Sequence, residues 1–106
     1  MATEFKHISI EQAKELIDQS NATVVDIRDP ESFQAGHIQN AVLVNQSNIE
    51  EFLKTANKNT PLICYCYHGI SSQGAAEYFS ENGFIEVFSI EGGFEAWKSA
   101  YPVVNH

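Results

Sequence analysis

Seven consecutive residues, Cys66-Tyr67-His68-Gly69-Ile70-Ser71-Ser72, hold the most reactive chemistry this sequence offers. A cysteine acts as a nucleophile only as its thiolate, so the question is whether the chain places Cys66 where negative charge is favoured. The residues before it, Leu62-Ile63-Cys64-Tyr65-Cys66, read as a buried strand after Pro61. Those after it read as a helix starting at Ser71, with Ala75, Ala76 and Phe79 on one face and an end near Gly83. That spacing sets Cys66 over a helix N-terminus, where unpaired N–H groups and the helix dipole favour an anion. Gly69 permits the tight turn that points successive N–H groups inward. Tyr67, His68, Gly69, Ile70, Ser71 and Ser72 are therefore the candidate substrate-binding residues around a catalytic Cys66. Ser71 and Ser72 can donate hydroxyl hydrogen bonds to a loop anion, and one can cap the helix. His68 is either a catalytic loop histidine or a solvent-facing one. The same cradle would stabilise a persulfide, an oxyanion or a phosphate, so these residue types leave the reaction open.

Other reactive side chains have plainer readings. Cys64 lies inside the apolar strand and reads as a core thiol. A disulfide between residues two apart would be strained. A lone C-x-C falls short of the four ligands zinc takes, so no metal site is expected. Arg28, the only arginine, either pairs with Asp26 or Asp29 to hold the loops or faces an anionic substrate. His37 follows Gly36 at a helix end, where it can bond the last-turn carbonyls. Trp97, Phe94 and Tyr101 share helical spacing and read as core or docking surface.

Short apolar runs and helix-period segments alternate along the chain. Phe5 to Ile8 reads as a strand, and Ser9 with Gln12 forms a capping box before Ile10, Ala13, Leu16 and Ile17. Thr23 to Ile27 is a β-branched strand. Asp29-Pro30 reads as an N-cap followed by Pro at the first helical position, with Gly36 closing that helix. Ala41 to Val44 is another apolar run. Ser47 and Glu50 suggest a second capping box, before Ile49, Phe52, Leu53 and Ala56. Phe84 to Ile90 is strand-like, and Gly92-Gly93 leads a last helix that stops at Pro102. This alternation predicts an α/β domain with a mostly parallel sheet, in which ligands sit beyond the carboxyl ends of the strands.

The 106 residues suit one domain with one core, and 43% are hydrophobic, as in a globular protein. Fourteen acids against six Lys and Arg give a formal charge of -8, which disfavours nucleic acid and anionic membrane as partners. Salt screens such a field beyond about 8 Å, so a local set of donors can still hold a small anion. Two closely spaced cysteines point to free thiols in a reducing compartment. No signal-peptide pattern and no apolar run of membrane-spanning length is present, so a soluble, cytoplasmic protein is expected.

Three segments resemble signatures of the rhodanese family. They are the loop Cys66 to Ser72; Val25-Asp26-Ile27-Arg28 followed by Phe33 and Gly36-His37-Ile38; and Gly92-Gly93-Phe94-Glu95-Ala96-Trp97. They stand in the family's order. The resemblance implies a single rhodanese domain over 1–106, with a mostly parallel central sheet and helices on both faces. It also implies a single-domain thiosulfate sulfurtransferase that needs no cofactor. Cys66 would take the outer sulfur of a small-molecule donor such as thiosulfate, hold it as a persulfide, and pass it to an acceptor. The acceptor would be a thiol, for example on a thioredoxin-like dithiol protein, or cyanide. Double-domain members place cationic residues inside the loop, where this chain offers only His68, and Gln73 stands where a single-domain member has lysine. Thiosulfate would thus be held chiefly by backbone N–H groups, and its affinity is expected to be weak. A phosphatase is disfavoured, since that chemistry wants an arginine six residues after the cysteine and Ser72 stands there. A persulfide carrier or regulatory rhodanese module loaded by a partner protein uses the same loop and is the alternative reading.

Overall fold

The computed structural model describes residues 5–19 and 21–105. Strands and helices alternate strictly: β1 (Lys6–Ile8), α1 (Ile10–Gln19), β2 (Thr23–Asp26), α2 (Pro30–Ala35), β3 (Val42–Leu43), α3 (Ile49–Thr55), β4 (Leu62–Tyr65), α4 (Ser71–Glu81), β5 (Val87–Ile90) and α5 (Gly93–Ala100). The five strands form one sheet in the order β1-β5-β4-β2-β3, and every pairing is parallel. The α/β class and the parallel sheet expected from the sequence are what the chain adopts.

Strand side chains alternate between two faces, and each face has its own core. Val24, Ile63, Tyr65, Phe88 and Ile90 pack with Ala13 of α1 and with Phe94 and Trp97 of α5. Val25, Leu62, Cys64 and Val87 pack on the opposite face with Ala76 and Phe79 of α4, flanked by Phe52 and Leu53 of α3. Helices thus cover both faces. β4 lies third of the five, and all four of its residues are buried. The loop after it therefore leaves from the most enclosed part of the sheet.

Local signals set several boundaries as read. The Ser9–Gln12 capping box forms, with the Gln12 N–H donating to Ser9 Oγ and the Ser9 N–H to Gln12 Oε1. The Asp29 carboxylate caps α2 by accepting from the Ser32 N–H at 3.0 Å, ahead of Pro30. The Ser47–Glu50 box does not form. Asn45 and Asn48 take over that turn: Asn45 Oδ1 accepts from Ser47, Asn48 Oδ1 accepts from the Asn45 N–H, and α3 begins one residue later than the box requires. The strand read from Phe84 narrows to Val87–Ile90, because the Phe84 N–H turns back to the Phe79 carbonyl at the end of α4. Among the described residues no helix is long and apolar enough to cross a membrane.

Candidate active site

Cys66 is the first residue past β4, and four loop residues separate it from Ser71, where α4 begins. The N-cap position of α4 is Ile70, which has no side chain able to cap. Cys66 Sγ fills that role. It accepts the N–H of Ser72 at 3.2 Å and the N–H of Gly69 at 3.1 Å, and Ser72 Oγ lies 3.4 Å away. A helix N-terminus whose acceptor is a sulfur holds that sulfur best as an anion.

The loop keeps this shape because its carbonyls are occupied from behind. The N–H of Phe94 donates to the Cys66 carbonyl at 2.8 Å, and that of Glu95 to the Tyr67 carbonyl at 3.1 Å. Gln73 Nε2 donates to the Gly69 carbonyl at 2.8 Å. With its carbonyls turned toward α5 and Gln73, the loop presents its N–H groups to Sγ. Two glycines make the close approach possible. Gly69 has φ +90°, and a Cβ there would come within 2.9 Å of the Gly92 nitrogen. Gly93 has φ +59°, and a Cβ there would stand 2.5 Å from the Cys66 carbonyl oxygen.

The electrostatics follow. Burial pushes the Cys66 thiol up, but the Ser72 hydroxyl and the amides of Ser72, Gly69 and His68 outweigh it, and Cys66 ionises below the ordinary thiol value. Cys64 goes the other way. Burial, then the neighbouring charge of Cys66, pushes it up to about 12. It is fully buried, with its S–H directed at the carbonyls of Ser72 and Phe88.

Of the loop residues, Gly69 and Ser72 are brought onto the sulfur through their amides. The Tyr67, His68, Ile70 and Ser71 side chains are exposed around it, with Ile70 75% exposed. Ser72 is wholly buried, and its hydroxyl bonds across the core to Ser89 Oγ at 2.8 Å instead of capping the helix. Arg28 is buried as well. Its Nε and Nη2 grip Asp26 at 2.7–3.1 Å, Nη2 also donates to the Gly36 carbonyl, and the guanidinium lies 4.0 Å over the Phe94 ring. This is the pairing role, and it ties β2 to the end of α2. His37 Nδ1 lies 2.7 Å from the Phe33 carbonyl, the last-turn contact its position suggested.

Two contributors were not visible as such in the sequence. One is Ser89, whose only signal is that it is the polar residue within the apolar run Val87-Phe88-Ser89-Ile90. The other is the support the α5 N-terminus gives the loop; the glycine pair marked a helix start but not what that start holds. A cleft of about 430 Å³, lined in part by Arg28, Tyr67, Phe94 and Lys98, borders the loop without reaching Cys66. Among the described residues no group of three or more His, Cys, Asp or Glu is placed to hold a metal ion.

The family model for the rhodanese-like domain matches residues 9–100. The chain is 50% identical over 97 residues to the thiosulfate sulfurtransferase GlpE of Pseudoalteromonas translucida (strain TAC 125), covering 92% of each chain. It is 46% identical over 102 residues to the protein of the same name from Pseudomonas aeruginosa (strain LESB58), covering 96% of this chain and 92% of that one. Among solved structures, a rhodanese-like domain protein from Staphylococcus aureus superposes with a TM-score of 0.82 at 29% identity, covering 96% of this chain and 99% of the other.

Proposed function

The chain belongs to the rhodanese-like family, and from that premise we propose that it is a thiosulfate sulfurtransferase with Cys66 as the sulfur-carrying residue. The observation that carries the assignment to Cys66 is the convergence of two backbone N–H groups on its sulfur, with the Ser72 hydroxyl within 3.4 Å. That arrangement stabilises negative charge at Sγ before, during and after transfer.

The chemistry runs in two displacements. The Cys66 thiolate attacks the outer sulfur of thiosulfate and forms a new S–S bond. The S–S bond within thiosulfate breaks, and sulfite leaves with the electron pair. The charge now rests on the outer sulfur of a Cys66 persulfide, within reach of the same loop donors. An acceptor thiolate or cyanide then attacks that outer sulfur, leaves as a persulfide or thiocyanate, and returns Cys66 to thiolate. No proton is consumed in either step, and no metal or organic cofactor enters the scheme. Tyr67, His68, Gly69, Ile70, Ser71 and Ser72 form the donor-binding loop in this reading, with backbone N–H groups meeting the anionic donor. The acceptor is a thiol, of which a thioredoxin-like dithiol is one form, or cyanide. Residues 1–106 act as one rhodanese domain, and the two free thiols suit a reducing cytoplasm.

Intact mass after incubation of reduced protein with thiosulfate tests the proposal. The wild type gains one sulfur atom that cyanide or a thiol removes, and Cys66→Ser gains none. Gain on neither protein would point to a carrier loaded by a partner. Gain that survives in Cys66→Ser would move the role to Cys64.

A further inference from the structure

Ser72 and Ser89 form a buried hydroxyl chain that ends on the nucleophile. Ser72 Oγ is 3.4 Å from Cys66 Sγ and 2.8 Å from Ser89 Oγ, and the two serines are 0% and 1% exposed. Ser89 is the register partner of Cys64 on the neighbouring strand, so it lies on the sheet face that α4 covers, beneath Ser72. Each hydroxyl has one proton to place, and two arrangements are possible. If Ser72 donates to Ser89, the Ser89 proton needs another acceptor, and Ser89 Oγ has no other hydrogen-bond partner among the described residues. A buried O–H left unpaired is costly. If Ser89 donates to Ser72, the Ser72 proton is free for Sγ, and every hydroxyl proton in the chain is used.

We propose that Ser89 is a positioning residue for sulfur transfer: by donating to Ser72 Oγ it commits the Ser72 hydroxyl to donate to Cys66. Ser89 never touches the reacting sulfur. Its effect is to fix the direction of the chain Ser89 O–H to Ser72 O–H to Sγ, in which each bond polarises the next. In this direction Sγ is an acceptor, as a thiolate or a persulfide anion requires. The opposite direction suits a neutral thiol, whose S–H would donate to Ser72. The ionisable side chains that flank Cys66 along the chain include Cys64 on its strand and Tyr67 and His68 on its loop. Among the described residues α4 brings the Ser72 hydroxyl and the Ser72 amide to it, and from α5 the Glu95 carboxylate is turned to Lys98 at 3.1 Å. Removing the Ser89 hydroxyl therefore changes the donor supply without removing a charge.

This inference rests on Cys66 being the nucleophile, so its test measures thiol ionisation directly and needs no sulfur donor. The rate of Cys66 alkylation by iodoacetamide is followed against pH for the wild type, Ser89→Ala, Ser72→Ala and the double variant. In Ser89→Ala the midpoint of the profile moves to higher pH, and the rate near pH 7 falls roughly threefold to tenfold, one pH unit of midpoint corresponding to tenfold. In the Ser72→Ala background the Ser89 substitution causes no further shift, because the chain it acts through is gone. Ser89→Thr keeps the hydroxyl and restores the wild-type midpoint. Should Ser89→Ala not give folded protein, Ser89→Cys supplies a weak donor of similar size and shows the same upward shift. An unchanged midpoint in Ser89→Ala, or equal shifts with and without the Ser72 hydroxyl, overturns the proposal. Failure of the functional reading looks different, as alkylation normal in every respect with no sulfur gained from thiosulfate.

Discussion

Two cysteines two positions apart meet opposite surroundings, and the difference has a measurable consequence. Cys66 ends its strand and receives donors, whereas Cys64 lies within the strand and receives almost none. Cys64 ionises near 12 in the folded chain against an ordinary value of 9.0, so between those values the unfolded state binds fewer protons than the folded one. Stability from this thiol is fully present below pH 9 and is lost as pH rises toward 12. Cys66 has the reverse sign, since its folded value is depressed: its contribution is present above the unfolded thiol's range and is lost as pH falls through the folded value. Thermal melts from pH 8 to pH 11 should therefore show a shallower alkaline decline in Cys64→Ala than in the wild type, while Cys66 of that variant still takes sulfur from thiosulfate. Equal declines would show that Cys64 does not limit alkaline stability. The contrast between the two thiols was legible in the sequence, because a position inside a strand or at its end follows from the apolar run itself. The role of Ser72 was only half legible. Its hydroxyl turns inward to a serine 17 positions away, and no local pattern reports such a contact.

At the level of elements, the loop that holds the sulfur is shaped as much by α5 as by the strand and helix it connects. The first amides of α5 hold the carbonyls of Cys66 and Tyr67, and Gly93 permits their approach. Gly93→Ala forces a Cβ against the Cys66 carbonyl at a backbone angle that alanine resists, a strain of about 1–3 kcal/mol. The expected result is a lower melting temperature together with a fall in kcat/KM on the order of 100-fold, as the donors move off the sulfur. Melting curves and steady-state rates on the same preparation check both. A stable variant with full activity would mean that the loop holds its shape without α5. Elements governed by short-range chemistry were readable in advance: the Ser9–Gln12 box and the Asp29-Pro30 start both formed. The α3 start departs from the capping-box pattern because asparagines at 45 and 48 compete for the same turn, and side-chain pattern alone does not rank them above Ser47. The α5 contact escaped because it joins segments separated by the whole of α4 and β5.

For the molecule as a whole, the charge of -8 works against its own substrate. Thiosulfate must approach through a repulsive field, so its kcat/KM should rise about twofold to fivefold between ~10 mM and ~150 mM salt as screening shortens the field. Alkylation by neutral iodoacetamide should hold steady over the same range while alkylation by iodoacetate follows thiosulfate; parallel flat responses would show that the charge is too far from the loop to matter. The parallel sheet was legible from the strict alternation of elements, but the strand order was not, since nothing in a strand's own residues names its neighbour. That order governs when the protein comes into being. Of the five described strands, the first to leave the ribosome, Lys6–Ile8, has its place beside the last, with Lys6 opposite Phe88. The sheet therefore stays incomplete until most of the chain has been made, and such distant pairings fold slowly. The amides of Phe94 and Glu95 arrive later still. A nascent chain that has already extruded Cys66 carries an ordinary thiol, and the reactivity of that cysteine begins only when synthesis of the domain is nearly over.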